Sequence, residues 1–366
     1  MESGNHRMEK LGMENLVETS INIIQKFQSE SGAYVASPNF PTYNYCWFRD
    51  GAFTAYAMDL YGQIESSRRF HRWASKVILD RKEIILQAIE KARKGLTITI
   101  QEQLHTRYTL DGEDGTKEEW PNFQLDGLGT WLWSLQQHKV YSNLEIPDDC
   151  LVAANLVADY LSVLWPLPCY DCWEEFPEDI HTHTLAAIYG GLNALSIMDG
   201  KDRSRSLKQI QEFVDEKLVY DGYFIKKTHS YTVDASLFGL AVPYGLVAID
   251  NQHFAATMTH IEKSLRNGGG VHRYPTDTYY GGGEWILLTA WLGWVYASRG
   301  DLEKAGELLL WIEKQADTNG NLPEQIPATL NDPNYYQPWL RQWGQIASPL
   351  LWSHAQYLIL RKQLQS

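Results

Sequence analysis

The segment EWILLTAWLGWVYASRGDLEKAGELLLWIEKQADTNGNLPEQ, residues 284–325, holds two helical stretches, 284–299 and 301–317, and then opens a long loop over 318–346. Apolar residues recur at the helical period in both stretches. Gly300 suits the C-terminus of the first and Asp301 the N-cap of the second, so the pair reads as a helical hairpin. The unit recurs along the chain. The same periodicity marks 8–30, 51–61, 65–94, 126–138, 148–164, 182–199, 203–218, 234–244, 252–266 and 347–364. Gly200 suits another C-terminus, and Asp148 and Asp202 suit N-caps. Strand signals are confined to 96–110 and 218–227, each short enough for a ribbon inside a loop.

The connections alternate in length. Long loops fall at 31–50, 95–125, 165–181, 219–233, 267–283 and 318–346, and the other links are mostly short. Each long loop precedes a helix pair, with the last helix pairing with the first. Loops longer than about 12 to 15 residues are uncommon and usually functional. Six in rotation predict an all-α architecture, an (α/α)6 barrel of six helical hairpins, as a single domain over 1–366 with the loops building one binding face. No residue-level repeat of the solenoid kind accompanies it.

The 366 residues are 44% hydrophobic and 21% charged, ample for a large core and unlike a disordered chain. A formal charge of −13 with no basic run disfavours nucleic acid. No apolar run reaches the 18 or so residues of a membrane span, and the polar N-terminus is not a secretory signal. Four cysteines do not resemble a disulfide framework, so a cytoplasmic location is expected. Fourteen Trp and 21 Tyr supply flat faces with polar edges that suit sugar rings, although many of them must fill the core.

The long loops carry ionisable groups beside aromatics: Tyr43-Asn44-Tyr45-Cys46-Trp47-Phe48-Arg49-Asp50 on the first, Trp120 to Asp126 on the second, Asp171-Cys172-Trp173-Glu174-Glu175 on the third, Val271 to Tyr280 on the fifth, and Leu322-Pro323-Glu324-Gln325 on the sixth. Taken singly, each has a plain structural reading. Glu174-Glu175 suits a solvated surface, Arg49-Asp50 a helix start, Arg273 with Asp277 a loop brace, and Pro323-Glu324 a turn. Other chemistries lack essential parts. Cys169-x-x-Cys172 has no second cysteine pair, His181-x-His183 no third metal ligand, and Gly281-Gly282-Gly283 no following Lys-Ser/Thr. No cofactor or metal is expected.

Together Trp47 to Asp50, Asp171 to Glu175, Thr232-Val233-Asp234-Ala235-Ser236-Leu237, Gly270 to Tyr280 and Leu322 to Gln325 resemble glycoside hydrolase family 15, the glucoamylase-like family, in its own order and over most of the chain. The resemblance implies an (α/α)6 barrel and exo-acting hydrolysis of α-glucosidic bonds with inversion to β-glucose. It implies Glu174 as general acid and Glu324 as general base. Arg49, Asp50, Arg273 and Asp277 would hold hydroxyls of the terminal glucose, Tyr43, Trp47, Trp120 and Trp285 would form aromatic walls, and Glu175 would touch the departing sugar. Asp126 and Trp173 complete the expected substrate contacts.

The chemistry explains the demand for two carboxyls. An inverting glycosidase protonates the leaving oxygen with one and activates water with the other, about 6.5 to 9.5 Å apart. The acid needs a raised pKa, for which Trp173, Glu175 and Glu178 stand close in sequence to Glu174, whereas Glu324 must stay ionised. Neither the β-sandwich that many bacterial family members carry before the barrel nor a carbohydrate-binding module is expected here, which points to short oligosaccharides, isomaltose-type α-1,6 ahead of maltose-type α-1,4. A non-catalytic glucan-binding barrel and a trehalose hydrolase are the alternatives. The segment after Glu175, Phe176 to Thr184, also lacks the glycine the family often has there.

Overall fold

A computed structural model describes residues 15–365 apart from 118. Its helices are α1 over 15–26, α2 (Phe48–Leu60), α3 (Ile64–Leu79), α4 (Lys82–Arg93), α5 (Asp126–Ser142), α6 (Asp148–Leu164), α7 (Thr182–Asp199) and α8 (Ser204–Lys217). After the 3-10 turn Ala235–Leu240 follow α9 (Gln252–Leu265), α10 (Ile286–Ser298), α11 (Leu302–Glu313), α12 (Tyr336–Trp343) and α13 (Leu351–Gln363). Paired strands are two residues long: β1 (Cys46–Trp47) with β2 (Arg107–Tyr108), β3 (Val219–Tyr220) with β4 (Tyr223–Phe224), and β5 (Glu284–Trp285) with β6 (Gln325–Ile326), all antiparallel.

The ring closes as the hairpin pattern predicts. α2, α5, α7, the 235–240 turn, α10 and α13 each pack on the next, and α13 returns to α2. Composition sorts inner from outer. α10 buries residues on every side, including Trp291 and Trp294, whereas α8 buries only Ile210 and Val214. A helix apolar all round must lie inside, and one with a narrow apolar stripe faces it inward from the rim. Two glycines draw inner helices together: a Cβ on Gly129 would collide with the carbonyl of Ala187, and one on Gly191 with that of Gly129. One hydrophobic cluster runs from Leu16 to Leu360. Among the described residues no helix is long and apolar enough to cross a membrane.

Departures from the sequence reading have local causes. Of the helix expected over 8–30, residues 8–14 lie outside the described residues and the described part ends at 26. The 65–94 stretch breaks at Asp80-Arg81, where Arg81 leaves helical geometry and its guanidinium donates to Gly112 O at 2.9 Å and to Asp114 at 2.6 Å. The expected helix over 234–244 shortens to a 3-10 turn, since Pro243 has no N–H with which to continue it. Loop six contains α12, which was not foreseen. The 96–110 stretch pairs only at its end, and with loop one rather than with itself; 218–227 does form the expected ribbon. Asp301 caps α11 by accepting from Lys304 N, and Gly200 ends α7 at φ 71°.

Each long loop leads into the N-terminus of an inner helix, so all six converge at one end of the ring. The site lies there.

Candidate active site

Loops one, two, three, five and six meet around a cavity of about 350 Å³. It is lined by eleven of the thirteen expected residues: Tyr43, Trp47, Arg49, Asp50, Trp120, Trp173, Glu174, Glu175, Arg273, Trp285 and Glu324. The other two require correction. Asp126 and Asp277 are fully buried and do not line the cavity. Asp126 accepts from Arg49 at 3.1 Å with His183 Nε2 at 3.7 Å, and Asp277 takes Arg273 in a two-pronged pair at 2.5 and 2.8 Å. Each holds an arginine that lines the cavity. Burial alone would raise Asp126, but Arg49 and then His183 outweigh it and hold the carboxyl at about 2.

Glu174 sits on a tight turn at φ 68°, a left-handed conformation unusual for a residue with a side chain. Asp171 holds the turn: its Oδ1 accepts from the backbone N–H groups of Trp173 and Glu175, each at 2.9 Å. Phe176 follows at φ 53°, so a bulky residue occupies backbone space that glycine would take without strain. Behind the turn Lys226 Nζ meets Asp234 at 2.6 Å and Asp171 at 3.1 Å, and Asp234 accepts from the Trp173 indole at 3.0 Å. This buried lysine joins loops three and four beneath the glutamate.

Glu324 is delivered differently. Residue Gln325 in β6 pairs with Trp285 in β5, Glu324 O accepts from Ile286 N at 3.2 Å, and Glu324 N donates to Ala347 O at 2.9 Å. The residue is 3% exposed. Its Oε1 accepts from Tyr43 Oη at 3.0 Å, and Tyr43 Oη in turn lies 3.0 Å from Tyr279 Oη. Oε2 is buried without a hydrogen bond from the described residues. Glu174 Oε1 accepts from the Trp47 indole at 2.5 Å, and the Tyr43 and Trp47 rings stand 5.8 Å apart. The two carboxyls therefore face one cavity across a pair of neighbouring aromatic side chains.

Burial pushes both carboxyls up, Glu174 to about 7 and Glu324 to about 8. For Glu174 the indoles of Trp120 and Trp47 and the Arg49 charge oppose the rise, while Asp50 adds to it. Trp120 acts by proximity, since its N–H lacks hydrogen-bond geometry. Glu175 and Glu178, expected to raise Glu174, are not the chief causes. Glu175 turns to Tyr274 Oη at 2.7 Å and Arg273 at 3.8 Å, and Glu178 is exposed. Glu324, expected to stay ionised, is raised by burial and then opposed by Tyr43 and Arg273, while Asp50 and Asp277 add to the rise.

An acid and a base acting together need one proton between the two carboxyls. As pH rises through about 7 the doubly protonated pair gives way to this singly protonated form, and above about 8 it loses the last proton. kcat/KM on a neutral substrate is expected to trace a narrow bell centred between those values. A plateau extending below pH 5 would contradict it.

Three features escaped sequence reading. Trp339, Gln342 and Trp343 reach the cavity from α12, and Trp352 reaches it from α13. Tyr279, two residues after Asp277, supports Tyr43. The excluded motifs have structural partners: His181 Nε2 lies 3.0 Å from the carbonyls of Cys169 and Phe176, and His183 Nδ1 lies 2.9 Å from that of Ser236. Away from the site, Asp59, His71 and His138 cluster closely enough to bind a metal, but Asp59 and His138 already pair at 2.9 Å with Ser67 beside both.

Comparison with known proteins bears on the family and the fold. The chain is 40% identical to isomaltose glucohydrolase of Kribbella flavida, over 98% of this chain and 94% of that protein. A solved wild-type glycosidase matches at a TM-score of 0.94 and 39% identity, over 98% of both chains. The glucoamylase of Saccharomycopsis fibuligera shares the fold at a TM-score of 0.72 and 14% identity, over 96% of this chain and 94% of that one. The profile of glycosyl hydrolases family 15 matches residues 12–320, and Glu324 lies just beyond the matched span. With that match over most of the ring and an identity of 40% to a relative covered almost end to end, the chain belongs to glycosyl hydrolases family 15 and is a glycoside hydrolase.

Proposed function

We propose that the protein is an exo-acting, inverting α-glucosidase that releases β-glucose from the non-reducing end of short α-gluco-oligosaccharides, isomaltose-type α-1,6 ahead of maltose-type α-1,4. The observation that carries this reading is the cavity itself: its floor is buried, it admits a chain end, and it presents two carboxyls with raised pKa from separate loops. The α-1,6 preference rests on the 40% identity to an isomaltose glucohydrolase.

In this mechanism Arg49 and Asp50 hold hydroxyls of the terminal glucose at the floor, with Arg273 beside Trp285 at 5.0 Å forming part of the wall. Glu174 donates its proton to the glycosidic oxygen as the C–O bond breaks. Glu324 Oε2, which no described protein donor occupies, takes a proton from a water attacking the anomeric carbon on the opposite face. The products are β-glucose and the shortened sugar, and the pair ends with its proton on the other glutamate. Cys46, Cys150, Cys169 and Cys172 are buried free thiols, which suits a cytosolic setting.

Incubation with isomaltose, maltose, panose and trehalose, with the released glucose followed by proton NMR, tests the reading. β-Glucose is expected first, and fastest from isomaltose. Initial α-glucose would overturn inversion, and preferential cleavage of trehalose would shift the assignment to a trehalose hydrolase.

A further inference from the structure

Loop six does more than carry Glu324. Within it α12 lies at the surface with none of its residues buried. A helix of eight residues is too short to persist alone, so its anchors decide where it sits. Tyr336, Trp339, Leu340 and Trp343 share one face, at i, i+3, i+4 and i+7, and pack on the cluster of Phe40, Tyr280 and Ala347. Trp339 meets Tyr279 edge-on at 4.9 Å and stacks on Tyr280 at 6.1 Å, while Tyr280 Oη donates to Gly344 O at 2.9 Å. The helix is thus pinned at both of its flanks to the loop that supports Tyr43.

Its position relative to the floor matters. Arg49 and Glu324 are 5% and 3% exposed, whereas Gln342 is exposed and Trp339 and Trp343 are half-buried, yet all five line the same cavity. α12 therefore stands at the mouth. A glucose seated on Arg49 and Asp50 offers its glycosidic oxygen to Glu174, and whatever is attached beyond that oxygen extends outward toward α12.

We propose that α12 is a specificity element that confines the departing group to a single sugar unit. The Trp343 ring and the Gln342 side chain line the cavity from the helix at its mouth, where a second unit would have to continue, and their bulk closes that path. This rests on the exo-α-glucosidase reading above.

The test compares kcat/KM for isomaltose and isomaltotetraose, and for maltose and maltotetraose, in the wild type, Gln342→Ala and Trp343→Ala. The wild type should prefer the disaccharide of the better linkage. Each variant should raise the tetrasaccharide-to-disaccharide ratio by about tenfold or more, the scale of a removed block in a specificity pocket. Unchanged ratios in both variants, or a wild type indifferent to length, would overturn the role of α12. Absence of hydrolysis of all four sugars by the wild type would instead overturn the α-glucosidase reading. Should Trp343→Ala fail to fold, Gln342→Ala at an exposed position carries the comparison.

Discussion

Glu324→Ala is expected to lower kcat on isomaltose by about a thousandfold or more while KM changes little, because general acid–base groups contribute about 10²- to 10⁴-fold and act in the transition state. Glu174→Gln should lose as much on isomaltose, yet far less on α-glucosyl fluoride, whose leaving group needs no proton. The two variants therefore separate the roles: loss of the base affects both substrates, and loss of the acid chiefly the sugar. Steady-state kinetics on the two substrates decide it. Near-normal turnover by Glu324→Ala, or equal losses on both substrates by Glu174→Gln, would refute the assignment. The raised values of both carboxyls make this test necessary, since burial alone does not say which glutamate donates.

Lys226→Met is expected to destabilise the fold by about 3 to 5 kcal/mol, the cost of leaving buried carboxylates without their cation. Lys226 and Asp234 are both buried, and Asp171 shares the same ammonium at 3.1 Å. Urea unfolding measures the loss. Adding Asp234→Asn to Lys226→Met should recover part of it, because the pair is coupled. A change within about 1 kcal/mol for the single variant would show that the lysine is not the keystone its contacts suggest.

Which features were legible from the residues follows from how local their causes are. Helix periods, Gly200 as a helix end and Asp301 as a cap depend on neighbours within a turn or two, and the structure reproduces them. The helix expected over 234–244 failed for a reason also visible locally, Pro243. That Asp126 and Asp277 pair with Arg49 and Arg273 rather than line the cavity was not legible, because a carboxylate at a loop or helix start looks the same whether it faces a ligand or an arginine. Only burial and the distances to Arg49 and Arg273 distinguish these cases. α12 could have been suspected from Trp339 and Trp343 one helical turn apart in a long loop, although nothing local shows that they reach the cavity.

By itself, the sequence determined the alternation of helix pairs with long loops, and hence the ring, because helical period and capping are properties of short stretches of chain. It also singled out Glu174 and Glu324, which the fold brings to one cavity. Tertiary structure alone decided which charged groups face the cavity, that burial raises both carboxyls, and that a surface helix stands at the mouth. Those outcomes depend on desolvation and on partners far apart in sequence, such as Tyr43 and Glu324 or Trp47 and Glu174, which only the closed ring brings within hydrogen-bond reach.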